Sequence, residues 1–375
     1  MRAELYYPLK IKVCQSCWLV QTEDYTSAEE LFRADYAYFS STSNAWLRHA
    51  KKYCDDIIGK LSLNNKSFVV ELACNDGYLL RNFIVNQIPC LGIEPTKDTA
   101  LEAEKLGIEV LREFFTEELG KQLSNRGQKA DLIIGNNVLA HVPDVNDFVL
   151  GMKQLLKKDG VITLEFPHLL QLIRSVQFDT VYHEHFSYFS LHVVSSIFKK
   201  AGLRVFDVEK ILTHGGSLRV YGCHIEDARE NSSTLKNFLD EEVRCNILSI
   251  NGYKNFQSKA DEVKNTLLQF LIEQKQRNKV VIGYGAAAKG NTILNYAGIK
   301  SDLLPFVCDA APSKQGKFMP GSHIPIRSPA VLAQHQPDYV LILPWNLADE
   351  IKSQLHDLSR NGTQFVVAVP ELKVL

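Results

Sequence analysis

No stretch of the chain approaches the roughly 20 consecutive apolar residues that a membrane-spanning helix requires. The amino terminus, MRAELYYPLKIKVC, has neither an uninterrupted apolar core nor a small-residue cleavage site. The expectation is a cytoplasmic protein that neither spans a membrane nor carries a secretory leader. The eight cysteines (Cys14, Cys17, Cys54, Cys74, Cys90, Cys223, Cys245 and Cys308) lack the dense spacing of a disulfide scaffold, which suits free thiols in a reducing compartment. Excess charge is missing too: 42 Lys and Arg against 43 Asp and Glu leave a formal net charge of −1. No bulk field therefore draws the chain to nucleic acid or to an anionic membrane surface, and an anionic ligand must be held by a local site. With 45% apolar and 23% charged residues and no short-period repeat, the composition is that of an ordinary folded protein. Single cores stop growing at about 250–300 residues, so 375 residues point to two domains.

A second pair of zinc ligands is also missing. Cys14-Gln-Ser-Cys17 has the C-x-x-C spacing of a zinc knuckle, but a structural tetrahedral site takes four soft ligands, usually from two such pairs. Cys54 stands alone and His49 is far along the chain. Cys14 and Cys17 are read either as half a metal site or as two ordinary cysteines.

From Lys66 onward short apolar runs alternate with amphipathic segments, the pattern of an α/β sheet with helices on both faces. Strands are expected at Phe68–Leu72, Cys90–Ile93, Gly107–Leu111, Asp131–Ile134, Gly160–Phe166, Leu203–Val208 and Leu218–Cys223. Seven strands ending in a hairpin pair is the layout of a Rossmann-like methyltransferase sheet. Residues 231–277 read as two helices joined around Asn251-Gly252. A second βα unit follows, with strands at Val280–Tyr284, Leu304–Asp309, Tyr339–Leu343 and Phe365–Val369.

The first strand runs into Glu71-Leu-Ala-Cys-Asn-Asp-Gly77, a degenerate form of the acidic, glycine-rich loop that binds S-adenosylmethionine, with Ala73 and Asn75 in place of two glycines. Such a turn brings backbone N–H groups up to a ligand, and Asp76 lies within it. Glu94 ends the second strand 17 residues after Gly77, near the spacing of about 20 at which an acid takes ribose hydroxyls. Asn136 and Asn137 end the fourth strand, where open α/β sheets bind ligands, and His141 follows them. The fifth ends in a further polar cluster, Leu164-Glu165-Phe-Pro-His168. The densest group of ionisable and aromatic side chains is Tyr182-His183-Glu184-His185 with Phe186 and Tyr188. Burying these without partners would cost several kcal/mol each, so they are expected to line a site. His183 and His185 are two residues apart, not at the i, i+4 spacing of a helical zinc pair. A histidine beside a carboxylate and a phenol suits proton removal next to a carbonyl instead. Gly283-Tyr-Gly285-Ala-Ala-Ala288-Lys289 opens the second unit and Asp309 ends its next strand. Alone this turn fits a dinucleotide, a nucleotide sugar or a purely structural role.

The segments ELACNDGYLL, GIEPT, NNVLAHVPD, VYHEHFSYFS, HGGSLRVY, GYGAAAKGNTILNY and CDAAPSKQGKFMPGSHIPI together resemble the sugar C-3 methyltransferases of deoxysugar biosynthesis, over nearly the whole chain. The resemblance implies an S-adenosylmethionine-dependent enzyme that methylates C-3 of a nucleotide-linked 4-keto-6-deoxyhexose, usually a thymidine diphosphate sugar. It also implies three parts: a partial zinc-binding module at 1–25, a class I Rossmann-like methyltransferase domain at 26–225, and a helical linker with a smaller Rossmann-like domain at 226–375. Carried over, the catalytic block falls on Tyr182, Glu184, His185 and His141. The cofactor site falls on Glu71, Ala73, Asn75, Asp76, Gly77, Glu94, Asn136 and Asn137. Substrate contacts fall on Tyr36, Tyr38, His183, Gly283, Gly285 and Lys289. The family's zinc module uses two cysteine pairs, of which this sequence shows only Cys14 and Cys17.

The implied mechanism removes the C-3 proton alpha to a C-4 ketone, with His185 as base held by Glu184 and Tyr182 or His141 donating to the ketone oxygen. Tyr182 as base is the alternative. An NAD(P)-dependent oxidoreductase, a non-catalytic nucleotide-sugar binder and a sugar O- or N-methyltransferase are the competing functions. The sequence leaves the sugar, its nucleobase and the oligomeric state open.

Overall fold

The computed structural model describes residues 4–32 and 39–375. The polypeptide begins with a short antiparallel pair, β1 (Ile11–Val13) and β2 (Val20–Thr22). The helix Asn44–Leu61 follows, started by the Ser43 hydroxyl accepting from Trp46 N–H at 3.3 Å. Its buried residues Ala50, Tyr53, Cys54 and Ile57 recur at the helical period, forming a stripe that covers one face of the central sheet.

That sheet contains β3 (Val69–Leu72), β4 (Cys90–Ile93), β5 (Glu109–Leu111), β6 (Ala130–Asn136) and β7 (Leu156–Pro167). The two-residue β8 (Ser187–Tyr188) lies outside it, and β9 (Leu203–Ile211) and β10 (Ser217–His224) complete it. The spatial order is β5-β4-β3-β6-β7-β10-β9. The first five are parallel, and β10 inserts antiparallel between β7 and β9. Strands such as Val69–Leu72 are buried at every position, as expected where helices cover both faces. The order in which strands are added reverses between β3 and β6, so their carboxyl ends open the crevice in which such sheets bind ligands. All seven strands stand where the hydrophobic pattern places them. The helix expected near Tyr78 starts later, at Arg81, because turns fill the intervening residues.

Two helices, Ser233–Arg244 and Phe256–Gln276, join the units, with a 3-10 turn at Ile250–Gly252 between them. The first is tied to the seven-stranded unit by Glu242, which is fully buried. Its carboxylate accepts from His168 Nε2 at 2.6 Å, His192 Nδ1 at 2.8 Å and the N–H groups of Leu191 and His192. It thereby caps the helix Leu191–Lys200. Burial alone would raise its pKa, but the two histidines pull it down to about 2.

The second sheet contains β11 (Val281–Tyr284), β12 (Val307–Cys308), β13 (Ile326–Arg327), β14 (Tyr339–Ile342), β15 (Gln364–Val367) and β16 (Lys373–Val374). Their order is β13-β12-β11-β14-β15-β16, all parallel except the last. It is the expected smaller Rossmann-like unit. One feature departs from the three-part division. β2 continues into β8, with Val20 opposite Tyr188 and Gln21 opposite Ser187, so the amino-terminal module is built onto the Tyr182–Tyr188 block. No helix among the described residues is long and apolar enough to cross a membrane.

Candidate active site

The loop after β3 is shaped by left-handed backbone at alternate residues: φ is 56° at Ala73, 51° at Asn75 and 75° at Gly77. These are the positions where glycine would be free of strain. At Gly77 a side chain is excluded by space as well, since a Cβ would stand 2.5 Å from Ile108 Cδ1. Glu94 braces the loop from the end of β4, its carboxylate accepting from Asn75 N–H at 2.9 Å and Thr96 N–H at 2.9 Å. From the amino-terminal side, Ser40 N–H donates to Asn75 Oδ1 at 2.9 Å and Ser41 N–H to Asp76 Oδ2 at 3.0 Å. The segment just before helix Asn44–Leu61 thus lies over the loop.

Around this loop the structure leaves buried polar atoms without partners: both oxygens of Glu71, Oδ1 of Asp76, both amide atoms of Asn136 and Oδ1 of Asn137. Natural proteins keep few such groups, and these converge on the carboxyl ends of β3 and β6. Burial, then the charges of Asp76 and Glu94, push the Glu71 carboxyl far above the usual range. An orphaned set of acceptors and amides is what a cationic, amine-bearing and hydroxyl-bearing cofactor would satisfy.

The Tyr182–Tyr188 block, the candidate catalytic group, folds back on the fourth-strand turn. The His141 and His185 rings meet edge to face with centroids 4.8 Å apart, and the Tyr182 ring lies 4.0 Å from that of His185. Each imidazole is fixed at Nδ1 by a carbonyl: His185 donates to Thr180 O at 2.9 Å and His141 to Glu184 O at 2.8 Å. A carbonyl only accepts, so Nδ1 carries a proton in both rings, which leaves the Nε2 lone pair as the basic site of the neutral form. Part of His141 still reaches solvent, but its packing desolvates the ring and pulls its pKa down to about 4. The block's backbone is held by Phe186 N–H on Ala140 O at 2.8 Å and by the Thr22 hydroxyl on His185 O at 2.6 Å. Glu184 contributes its carbonyl to His141, whereas the Nδ1 orientation of His185 comes from Thr180. His183 points away toward the amino-terminal module, with Nε2 3.1 Å from Pro8 O and its ring beside Tyr7 and Tyr25. Tyr36 and Tyr38 lie outside the described residues.

Beside this block runs a charged row that sequence reasoning missed. Asn136 on β6, Glu165 on β7, Arg219 on β10 and Glu209 on β9 are successive cross-strand partners. Glu165 is fully buried and accepts from Arg219 at 2.7 Å, His49 at 2.9 Å and the Thr213 hydroxyl at 2.9 Å. Burial would raise its pKa, but His49, Arg219 and Thr213 together bring it down to about 2. Trp46 stacks on His49 and on Tyr78, with centroids 4.9 and 5.9 Å away. The polar cluster at the end of the fifth strand was the signal for Glu165; nothing local marks Arg219, which the sheet order places beside it, or His49, which the helix Asn44–Leu61 brings over it.

In the second unit, Gly283 ends in β11 and Gly285 turns toward the helix Ala288–Ala297. Asp309 is occupied by its own loops, accepting from Ala286 N–H at 2.7 Å and Ala311 N–H at 2.8 Å. Lys289 donates to Asn346 Oδ1 at 2.9 Å and lies 5.3 Å from the Trp345 ring. Cys14 and Cys17 sit on a tight turn closed by Trp18 N–H on Cys14 O at 2.8 Å. Backbone N–H groups of Cys17 and Ser16 lower the Cys14 pKa. No group of three or more His, Cys, Asp or Glu side chains among the described residues could hold a metal ion. Two thiols fall short of a tetrahedral set.

Three family models tile the chain: "Putative zinc binding domain" over residues 1–32, "Methyltransferase domain" over 46–208 and "C-methyltransferase C-terminal domain" over 212–370. The chain is 34% identical to the C-methyltransferase NovU of Streptomyces niveus over 372 residues, covering 99% of this chain and 88% of that protein. The chain belongs to the C-methyltransferase family. This C-methyltransferase also resembles a solved S-adenosylmethionine-dependent methyltransferase from Anabaena variabilis at 14% identity and TM-score 0.42, covering 54% of this chain and 96% of that one. The magnesium protoporphyrin IX methyltransferase of Synechocystis with bound S-adenosylmethionine matches at 13% identity and TM-score 0.35, over 46% and 79% of the two chains. The family models and the NovU relative make this chain an S-adenosylmethionine-dependent C-methyltransferase, which sets aside the oxidoreductase and the O- or N-methylation readings.

Proposed function

We propose that the chain methylates C-3 of a nucleotide-linked 4-keto-6-deoxyhexose, carried on thymidine diphosphate, in branched-chain deoxysugar biosynthesis. One arrangement supports this: His141, Tyr182 and His185 are packed ring against ring next to the orphaned polar atoms of the cofactor crevice. When bound, S-adenosylmethionine supplies an electrophilic methyl group on a sulfonium, which the substrate carbon accepts. Glu71, Ala73, Asn75, Asp76, Gly77, Glu94, Asn136 and Asn137 hold that cofactor.

His185 Nε2 removes the C-3 proton, whose acidity derives from the neighbouring C-4 ketone. The C–H electron pair becomes the C-3–C-4 double bond and the ketone pair moves onto oxygen, forming an enolate. The Tyr182 hydroxyl donates to that oxygen. His141 has its Nδ1 proton committed to Glu184 O and stays neutral at physiological pH, so its Nε2 accepts from a sugar hydroxyl rather than donating to the ketone. Tyr36, Tyr38, Gly283, Gly285 and Lys289 complete the substrate side, the last three at the diphosphate, whereas His183 faces Pro8 and takes no part. The enolate C-3 would take the methyl carbon as the methyl–sulfur bond breaks, the sulfur keeping that electron pair and leaving as a neutral thioether while the ketone re-forms. Proton loss and methyl entry on opposite ring faces would invert C-3.

Incubation with S-adenosylmethionine and thymidine diphosphate 4-keto-6-deoxyglucose is expected to add one methylene, about 14 Da, located on C-3 by NMR. No mass gain across several such 4-keto sugars, or a methyl on oxygen or nitrogen, would sink the reading. His185→Gln is expected to abolish exchange of the C-3 proton with deuterated water; exchange at the native rate removes His185 as base.

A further inference from the structure

The second Rossmann-like unit carries a G-x-G-x-x-A turn, but the acid in its ribose position is taken up by the turn itself. Asp309 accepts from Ala286 and Ala311, and Lys314 Nζ donates to Ala286 O at 2.9 Å. What this unit does hold is a stretch of the methyltransferase unit, the 3-10 turn Phe178–Thr180 that leads into the catalytic block. Trp345 Nε1 donates to Asp179 Oδ2 at 2.7 Å. The Thr292 hydroxyl, on helix Ala288–Ala297, donates to Val181 O at 3.0 Å. The Phe178 ring lies 5.3 Å from that of Tyr296 on the same helix. Residues 178, 179 and 181 are each gripped from the carboxyl-terminal side, and the carbonyl between them, that of Thr180, accepts the Nδ1 proton of His185 at 2.9 Å.

We infer that Trp345 and Thr292 are positioning residues for His185, so that the carboxyl-terminal unit acts as a clamp that fixes the tautomer and direction of the base through Asp179, Thr180 and Val181. The inference rests on His185 being the base. The clamp has a reason to be stiff. Asp179 is fully buried and its Oδ1 has no partner, so the indole N–H is a donor that the turn cannot replace with water. Burial raises the Asp179 carboxyl to about 6, with Lys289 and the Trp345 N–H opposing that rise. If the donor is lost the turn has cause to shift, and the Thr180 carbonyl moves with it. The imidazole then no longer has one fixed proton position. A misplacement of about 1 Å at a catalytic group can cost roughly 100-fold in rate.

The test uses the full chain with Trp345→Phe, which keeps a ring and removes only the donor, and Thr292→Val, singly and together. Three quantities are read: the rate of C-3 deuterium exchange into thymidine diphosphate 4-keto-6-deoxyglucose, the ring-nitrogen NMR signature of His185, and the affinity for S-adenosylmethionine. The double variant is expected to lose roughly 10–100-fold in exchange and to show His185 as a mixture of tautomers, with cofactor affinity unchanged within about two-fold. Asp179→Asn, whose amide oxygen still accepts the indole proton, is expected to retain exchange, whereas Asp179→Leu is not; this pair decides the matter if the tryptophan variant fails to fold. A His185 signature that stays native, or cofactor affinity that falls in step with exchange, would overturn the clamp. Native exchange in His185→Gln would instead remove the base assignment, while the NMR signature still judges the clamp on its own.

Discussion

Replacing Arg219 by Met tests how the charged row beside the catalytic block is held. Arg219 is 5% exposed, donates to Glu165 at 2.7 Å and stacks its guanidinium 4.4 Å from the Tyr53 ring. Methionine keeps most of the aliphatic bulk and removes the charge. Folded Glu165 has its pKa at about 2 against the ordinary 4.5, which corresponds to roughly 3 kcal/mol of native preference for the ionised carboxylate. Because the folded value is the lower one, that stability is complete above about 4.5 and is lost as pH falls toward about 2. Without Arg219 the burial that raises the carboxyl is opposed mainly by His49 and Thr213, and the pKa moves up. The variant is expected to lose about 3–5 kcal/mol at pH 7, the cost of stranding a buried charge. Its deficit should shrink as the pH is lowered toward about 4, where protonation relieves the stranded carboxylate in the variant first. Urea unfolding at both pH values, followed by the fluorescence of Trp46 stacked on His49, measures this. A loss below about 1 kcal/mol, the range of an exposed ion pair, or a deficit that widens on acidification would refute the reasoning.

Two further substitutions probe the scaffold. Ala73→Gly should stabilise the protein by about 0.5–1 kcal/mol, since relief of the left-handed strain at φ 56° outweighs the added freedom of the unfolded chain; a lowered melting temperature would show that the loop does not carry this strain. Gly120→Ala should destabilise by about 1–3 kcal/mol, because its Cβ would press on the Gly151 carbonyl of the facing helix Val145–Leu155; an unchanged urea midpoint would mean that these two helices can separate at no cost.

Strands buried on both faces announce themselves as short apolar runs, and the turn between β3 and the next helix announces itself through Glu71 and Gly77. The fold class and the seven-stranded sheet were therefore legible in the order of residues alone, and the turn after β3 and the Tyr182–His185 run were legible as dense polar patterns, since each is local. Local pattern does not say which face a side chain takes. His183 and His185 are near neighbours in the chain, yet one turns toward Pro8 and the other packs against His141 and Tyr182, because β2 pairs with β8 and draws the block's backbone around.

The sequence by itself determined that two Rossmann-like sheets would form, and it marked the Glu71–Gly77 turn and the Tyr182–His185 run as candidates for chemistry. Only the tertiary structure decided how these groups are held. Glu165, Arg219 and His49 meet because β10 inserts beside β7 and the helix Asn44–Leu61 crosses above them. Trp345 reaches Asp179, 166 residues away, because the second sheet folds back on the first. Contacts of that separation depend on packing between elements, and the order of residues encodes them only through the whole fold.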